Sequence, residues 1–266
     1  MNPSFARSSI PAACHKLSGG FTLIEMAVAV FIIALLLGSI LVPLTTQVEQ
    51  RQISDTQKTL DQIKEALVGF AITKEYLPCP DKTAGIPPFL PNDTPNDGIE
   101  DFNAAGDCIN TEGNIPWATL GIAHSDAWGN RFRYRVAQNF AQHVTPFTLA
   151  TQSTLEVCTT VVAVSPPPDL CSGRLTTSGD GPPAVIMTHG RNGYLAFGAT
   201  TGAVNPCPPP GCSGDEIVNG NGDARFVSRT QTSAESPAGE FDDIVVWLSK
   251  DILFHRMVAA GKLPKQ

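Results

Sequence analysis

Polarity divides the chain into three textures. Residues 21–44 are apolar almost throughout, broken only by Thr22, Glu25 and Ser39. The block 26–37 is apolar on every helical face, which suits lipid better than a half-buried core position. As a helix, 21–44 spans roughly 36 Å, enough for a hydrocarbon core of about 30 Å. From 45 to 74 the pattern narrows to one stripe. Ile53, Leu60, Ile63, Leu67 and Phe70 recur at helical spacing, with Glu49, Arg51, Asp55, Lys58, Asp61, Lys64 and Glu65 between them. Together these stretches predict one long helix, its first half in lipid and its amphipathic second half packed on a sheet. Pro43 has no N–H to donate and is expected to kink or loosen that helix.

After Glu75 the pattern becomes turns and short strands. Residues 131–136 alternate strictly, with Phe132, Tyr134 and Val136 on one face and Arg131, Arg133 and Arg135 on the other. The arginine face is expected to be solvated. Residues 155–164, 184–188 and 243–248 are further predicted strands, and His189-Gly190-Arg191-Asn192-Gly193 a predicted turn. Residues 250–260 predict a closing helix, ended by Gly261 with Pro264 beyond.

Composition then narrows the class. With 42% hydrophobic and 16% charged residues, the chain is neither disordered throughout nor a polytopic membrane protein. A net charge of −7 supplies no chain-wide basic field, so no nucleic acid is expected as a partner. Seven cysteines point to an oxidising compartment. Arg7 and Lys16 precede the apolar run without an acidic residue, which favours a cytoplasmic N-terminus and a remainder outside the cytoplasm.

An ordinary secretory signal would place a small-residue cleavage site after the apolar run. Here the small residues, Gly19-Gly20, stand before it. The segment Gly19-Gly20-Phe21-Thr22-Leu23-Ile24-Glu25-Met26 closely resembles the prepilin processing motif of type IV pilins and type II secretion pseudopilins. The resemblance implies cleavage by a prepilin peptidase between Gly20 and Phe21, and methylation of the new amine on Phe21. It implies a leader over 1–20, a transmembrane helix over 21–44, its amphipathic continuation over 45–74 and a periplasmic domain over 75–266. The expected fold is α+β, a pilin-like lollipop whose long helix packs on a small antiparallel sheet with disulfide-stapled loops. The expected location is the inner membrane, crossed once. The expected role is a non-catalytic subunit of a pseudopilus or pilus-like filament, most naturally in type II secretion. Its partners would be the peptidase, other pilin or pseudopilin subunits and an inner-membrane assembly platform. Glu25, costly in lipid unless paired, would meet the Phe21 amine of a neighbouring subunit. Two further segments fit the same family. Asp126-Ala127-Trp128-Gly129-Asn130 followed by Tyr134 is similar to the D-x-W-G…Y stretch of major pseudopilins, and Asp243-Ile244 with Trp247 to their D-I-x-x-W stretch.

Processing would remove Cys14 and leave Cys79, Cys108, Cys158, Cys171, Cys207 and Cys212. Proximity suggests the pairs 79–108, 158–171 and 207–212, although six cysteines allow fifteen pairings. Zinc is the rival for Cys207 and Cys212, without a nearby histidine. No cofactor is required, and calcium is the one candidate, since hard cations want several oxygen ligands. Asp215, Asn219, Asn221 and Asp223 crowd one segment, Asp242 and Asp243 match the region where major pseudopilins bind calcium, and the acidic residues of 93–107 are a third place. The competing reading is a set of solvated turns. No G-x-S-x-G, P-loop or H-E-x-x-H motif occurs. His189 reads as a turn residue more readily than as a catalytic base, so a membrane-anchored periplasmic hydrolase lacks a nucleophile. A DNA-uptake pilin would rest on Arg131, Arg133 and Arg135 alone.

Overall fold

The computed structural model describes residues 20–82, 94–162, 170–176, 180–209, 211–212, 214–237 and 239–264; of 38–45 and Leu170 it describes the backbone alone. The chain divides into two units, Met1–Glu49 and Gln50–Gln266. Helix α1, Leu23–Lys74, starts in the first and ends in the second. In the first unit the side chains of 20–37 are all exposed, Phe21 at 83% and Leu23 at 89%. Among the described residues no helix is long and apolar enough to cross a membrane. The rest of the expected span, including Pro43, has side chains outside the described residues, and of the leader expected over 1–20, residues 1–19 lie outside them altogether.

In the second unit, α1 buries Leu60, Ile63 and Leu67 fully, as the stripe predicts. Ile53 and Phe70, however, are only half-buried, and Thr56, Val68 and Ala71 complete the buried face instead. The face is rotated because Phe70 turns aside to meet Tyr76 edge-on at 5.6 Å. Polar Thr56 is tolerated there because its hydroxyl accepts the Ala127 N–H at 3.3 Å. The helix stops where Glu75 adopts a left-handed φ of 70°.

That face shares one core with a four-stranded antiparallel sheet. Its strands are β1 (Glu112–Asn114), β2 (Arg133–Val136), β5 (Ala184–Thr188) and β7 (Ile244–Leu248), in the order β1-β2-β5-β7. Strand β5 is buried at all five positions, which explains the apolar run over 184–187. Tyr134 lies opposite Ile186, which lies opposite Val246, so the predicted inner face of β2 points into the core. Helix α4, Lys250–Ala259, closes the core with Leu253 and Met257, and Gly261 takes φ 71° just past its end.

The expectation of one small sheet needs correction. A second sheet, β3 (Glu156–Val162), β4 (Leu170–Arg174) and β6 (Arg225–Val227), runs in the order β4-β3-β6 with β3 and β6 parallel. The short helices α2 (Trp117–Leu120) and α3 (Gly214–Gly220) were also unforeseen. Only Val218, Val227 and Phe241 are buried in the second cluster, a small core. The disulfides Cys79–Cys108, Cys158–Cys171 and Cys207–Cys212 match the pairing that proximity suggests.

The closed segments differ in length, with separations of 29, 13 and 5 residues. Loop-closure entropy makes the three bridges worth about 3.5, about 3 and about 2 kcal/mol. Paired Cys→Ser variants should therefore lose stability in that order on urea unfolding. A 207–212 variant more damaged than the 79–108 variant would overturn the ranking.

Candidate functional site

The N-terminal motif is built around Thr22 and Glu25. The Glu25 backbone N–H donates to Thr22 Oγ1 at 3.3 Å, and the Thr22 N–H donates back to Glu25 Oε2 at 2.8 Å. The Thr22 hydroxyl also donates to Oε2 at 2.8 Å. This is a capping box: two helix-start donors are satisfied reciprocally by Thr-x-x-Glu. Thr22-Leu23-Ile24-Glu25 before an apolar run carries that signal in the sequence, where Glu25 was given only an assembly role. Gly20 and Phe21 are exposed on the N-terminal side of the cap.

The candidate calcium residues separate. Residues 214–220 form a helix instead of a ligand loop, so Asp215, Asn219, Asn221 and Asp223 do not converge as their alternate spacing suggested. Asp215 pairs with Arg229 at 2.7 Å. Asn221 and Asp223 shape a local turn, the Asn221 side chain accepting the Asp223 N–H at 2.8 Å. Buried Asn219 accepts the Val227 N–H at 2.7 Å and donates to Asp243 Oδ2 at 2.8 Å. It therefore ties this segment to the residue preceding β7 with no cation in the bond.

Asp242 and Asp243 instead converge with Glu216, a residue the sequence reading missed. One carboxylate oxygen from each lies within 4.8 Å of the others. Asn192 holds two of the three: its N–H donates to Asp242 Oδ2 at 2.7 Å and its amide to Glu216 Oε1 at 2.8 Å. His189 opens the predicted turn, its carbonyl accepting the Gly193 N–H at 3.1 Å, and its side chain is buried with Nδ1 3.4 Å from Asp243 Oδ1. Burial pushes the Asp242 carboxyl up to about 7, reinforced by Asp243, Glu216 and Glu240 and opposed by the Asn192 N–H. A hard divalent cation would supply the positive charge that three crowded carboxyls lack.

The third acidic region is a polar clasp. Asp81 accepts N–H groups from Asn96 at 2.7 Å and Gly98 at 2.8 Å, while Asp101 accepts the Lys82 N–H at 2.8 Å. Burial raises Asp81 to about 7 and Asp101 to about 6. Asp93 lies outside the described residues. Cys79, Glu100 and His143 also converge, yet Cys79 is oxidised to its disulfide and offers no thiolate.

The arginine face of β2 is not solvated, contrary to expectation. Arg133 and Arg135 both pair with Glu112 on β1, and their side chains are only 23% and 16% exposed. Backbone carbonyls of Gly220 and Gly222 accept further bonds from them at 3.2 and 2.7 Å. Arg131 stacks on the Trp117 ring, 3.8 Å from its centroid. The sequence could not show this cover, because it comes from Glu112 and Trp117 upstream and from Gly220 and Gly222, 87 positions downstream of the arginines they meet.

Residues 15–41 match the family model of the prokaryotic N-terminal methylation motif. Over those residues the chain thus carries the prepilin-type motif of type IV pilins and pseudopilins. No curated protein and no solved structure matches the chain.

Asp81, Asp101 and Asp242 hold their protons to higher pH when folded than their ordinary value of 3.8 allows. Between about pH 4 and 7 the folded state therefore binds more protons than the unfolded chain, and stability falls as pH rises through that window. The urea midpoint should drop from pH 5 to pH 8, and Asp242→Asn should flatten the fall. Equal midpoints at both pH values would overturn this account.

Proposed function

We propose that the protein is a non-catalytic structural subunit of a pseudopilus, or a related pilus-like filament, serving type II protein secretion. The prepilin-type motif over 15–41 is the observation that carries this reading. In it, a prepilin peptidase cuts after Gly20, Phe21 becomes the methylated N-terminus, and 21–44 anchors the chain in the inner membrane with the remainder in the periplasm. The lollipop arrangement, with 45–74 joining anchor to periplasmic domain, belongs to the same proposal. The exposed apolar surface along 21–37 supports it, since a helix apolar all round needs lipid or neighbouring helices to cover it. Three disulfides support an oxidising location. Other pilin-like subunits and an inner-membrane assembly platform are the proposed partners. Calcium at Glu216, Asp242 and Asp243 is the proposed cofactor.

In cells with an active prepilin peptidase, the intact mass should correspond to a chain beginning at methylated Phe21. Glu25→Ala removes both a cap and a charge, whereas Glu25→Gln keeps the capping box and loses only the charge. Both variants should remain in the membrane fraction and lose cross-links between neighbouring subunits. A chain retaining residues 1–20, or undiminished cross-linking of Glu25→Gln, would overturn the proposal.

For calcium, the full chain in detergent should melt higher with millimolar calcium than with chelator, and by more at pH 8 than at pH 5. The sign follows from Asp242, which keeps its proton up to about pH 7 and must lose it to bind metal. Identical melting curves at pH 8 would remove the cation.

A further inference from the structure

A cleft of about 330 Å³ opens between β1, β2 and the segments around Leu195 and Gly220. Its lining mixes two chemistries: Leu195, Phe197 and Val204 are apolar, while Arg131, Arg133 and His189 bring polar groups. The bare backbone of Gly220 contributes to the lining, and a Cβ there would approach Leu195 Cδ1 to 2.4 Å.

The cations of this cleft are unequally satisfied. Arg133 is held by Glu112 and the Gly220 carbonyl, and Glu112 is itself engaged by two guanidiniums. Arg131 makes no ion pair among the described residues. Its Nη1 donates to the His124 carbonyl at 3.2 Å, and stacking on Trp117 fixes the plane of its guanidinium. Arg131 Nε and His189 Nε2 are buried without a hydrogen-bond partner among the described residues, while His189 Nδ1 faces Asp243, and His189 is only 1% exposed. Buried donors without acceptors are costly, so they mark a place where an acceptor belongs. A guanidinium held in one plane is suited to a planar carboxylate. A phosphate ester would leave Leu195, Phe197 and Val204 unused, whereas a carboxylate attached to an apolar group uses both kinds of lining. The volume sits at the small end of ligand sites, about the size of one or two residues.

We propose that this cleft binds a carboxylate carried beside an apolar side chain, as at the C-terminal residue of a polypeptide. Arg131 takes the carboxylate, His189 supplies a second polar contact, and Leu195, Phe197 and Val204 take the side chain. The site lies wholly within residues 50–266 and does not depend on filament assembly through 21–44.

The test is fluorescence anisotropy with the full chain in detergent and a labelled, otherwise hydrophilic peptide ending in leucine. The free-acid peptide should bind saturably, and the same peptide amidated at its C-terminus should bind about ten-fold more weakly or worse. Arg131→Gln should give a comparable loss. Because that change also removes the Trp117 stack, Val204→Asp is the second variant: Val204 is 55% exposed, so the fold tolerates it while a negative charge enters the cleft. It too should weaken the free acid about ten-fold, with an unchanged melting temperature. N-acetyl-leucine competing as well as the peptide would place recognition in the last residue alone, and a tighter peptide would extend the site along a chain end; either supports the assignment. Equal binding of acid and amide, no saturable binding, wild-type affinity in Val204→Asp, or competition by acetate as strong as by N-acetyl-leucine would overturn it.

Discussion

The carboxylate of Asp126 holds the sheet, the helix and the functional loops in one frame. It is buried and accepts the N–H groups of Trp128 at 2.9 Å and Asn130 at 2.8 Å, together with the Thr188 hydroxyl at the end of β5. Burial pushes its carboxyl up, and those hydrogen bonds pull the other way, the Thr188 hydroxyl most. The turn so formed presents the Ala127 N–H to Thr56 on α1 and aims the Asn130 amide at the Gly190 carbonyl, 3.4 Å away. Asn205 then donates to Asn130 and to the Gly193 carbonyl, at 3.1 and 3.0 Å. One acid thereby fixes where the His189–Gly193 turn and the Leu195–Val204 segment stand. Removing it would leave several buried polar groups without partners, far worse than losing one bond.

The two sheets are stabilised differently. The first draws on α1 and α4 for cover, and each fully buried Leu, Ile or Phe contributes about 1.5 to 3 kcal/mol. The second sheet sends Val157 and Phe226 into that same core and otherwise buries only the small cluster of Val218, Val227 and Phe241. Here cross-linking and charge do more. Cys158–Cys171 joins β3 to β4, while Glu156 on β3 pairs with Arg174 on β4 and Arg225 on β6. A loop-rich layer with a thin core is where constraints on the unfolded chain count most.

Periodicity made α1, β2, β5, β7 and α4 legible, because burial against a large core leaves an apolar pattern in each. Strands β1, β4 and β6 left none: they are short, and Glu112-Gly113-Asn114 becomes a strand only by pairing with β2. The arginines of β2 show the limit from the other side. Their alternation was right, but solvation is not local, and Glu112 with the carbonyls of Gly220 and Gly222 covers them. The acidic cluster was half legible, since Asp242 and Asp243 are adjacent in sequence. Glu216 joins them only through α3, whose seven residues carry no helical repeat and end in Asn219-Gly220.

At the N-terminus, one carboxylate has two demands placed on it, and its geometry admits both. The two bonds that Glu25 accepts from Thr22 fall on the same oxygen, Oε2. Oε1 is left with no partner among the described residues. The capping box therefore fixes the rotamer of Glu25 and begins the helix while one oxygen still points outward. In the proposed filament that second oxygen can take an ammonium from a neighbouring Phe21 without dismantling the cap. An aspartate at 25 would be shorter by one methylene, and an alanine would supply neither bond. A Thr at 22 with a Glu at 25 thus satisfies the start of an isolated helix and keeps in place a charge that lipid would otherwise penalise until a neighbour neutralises it.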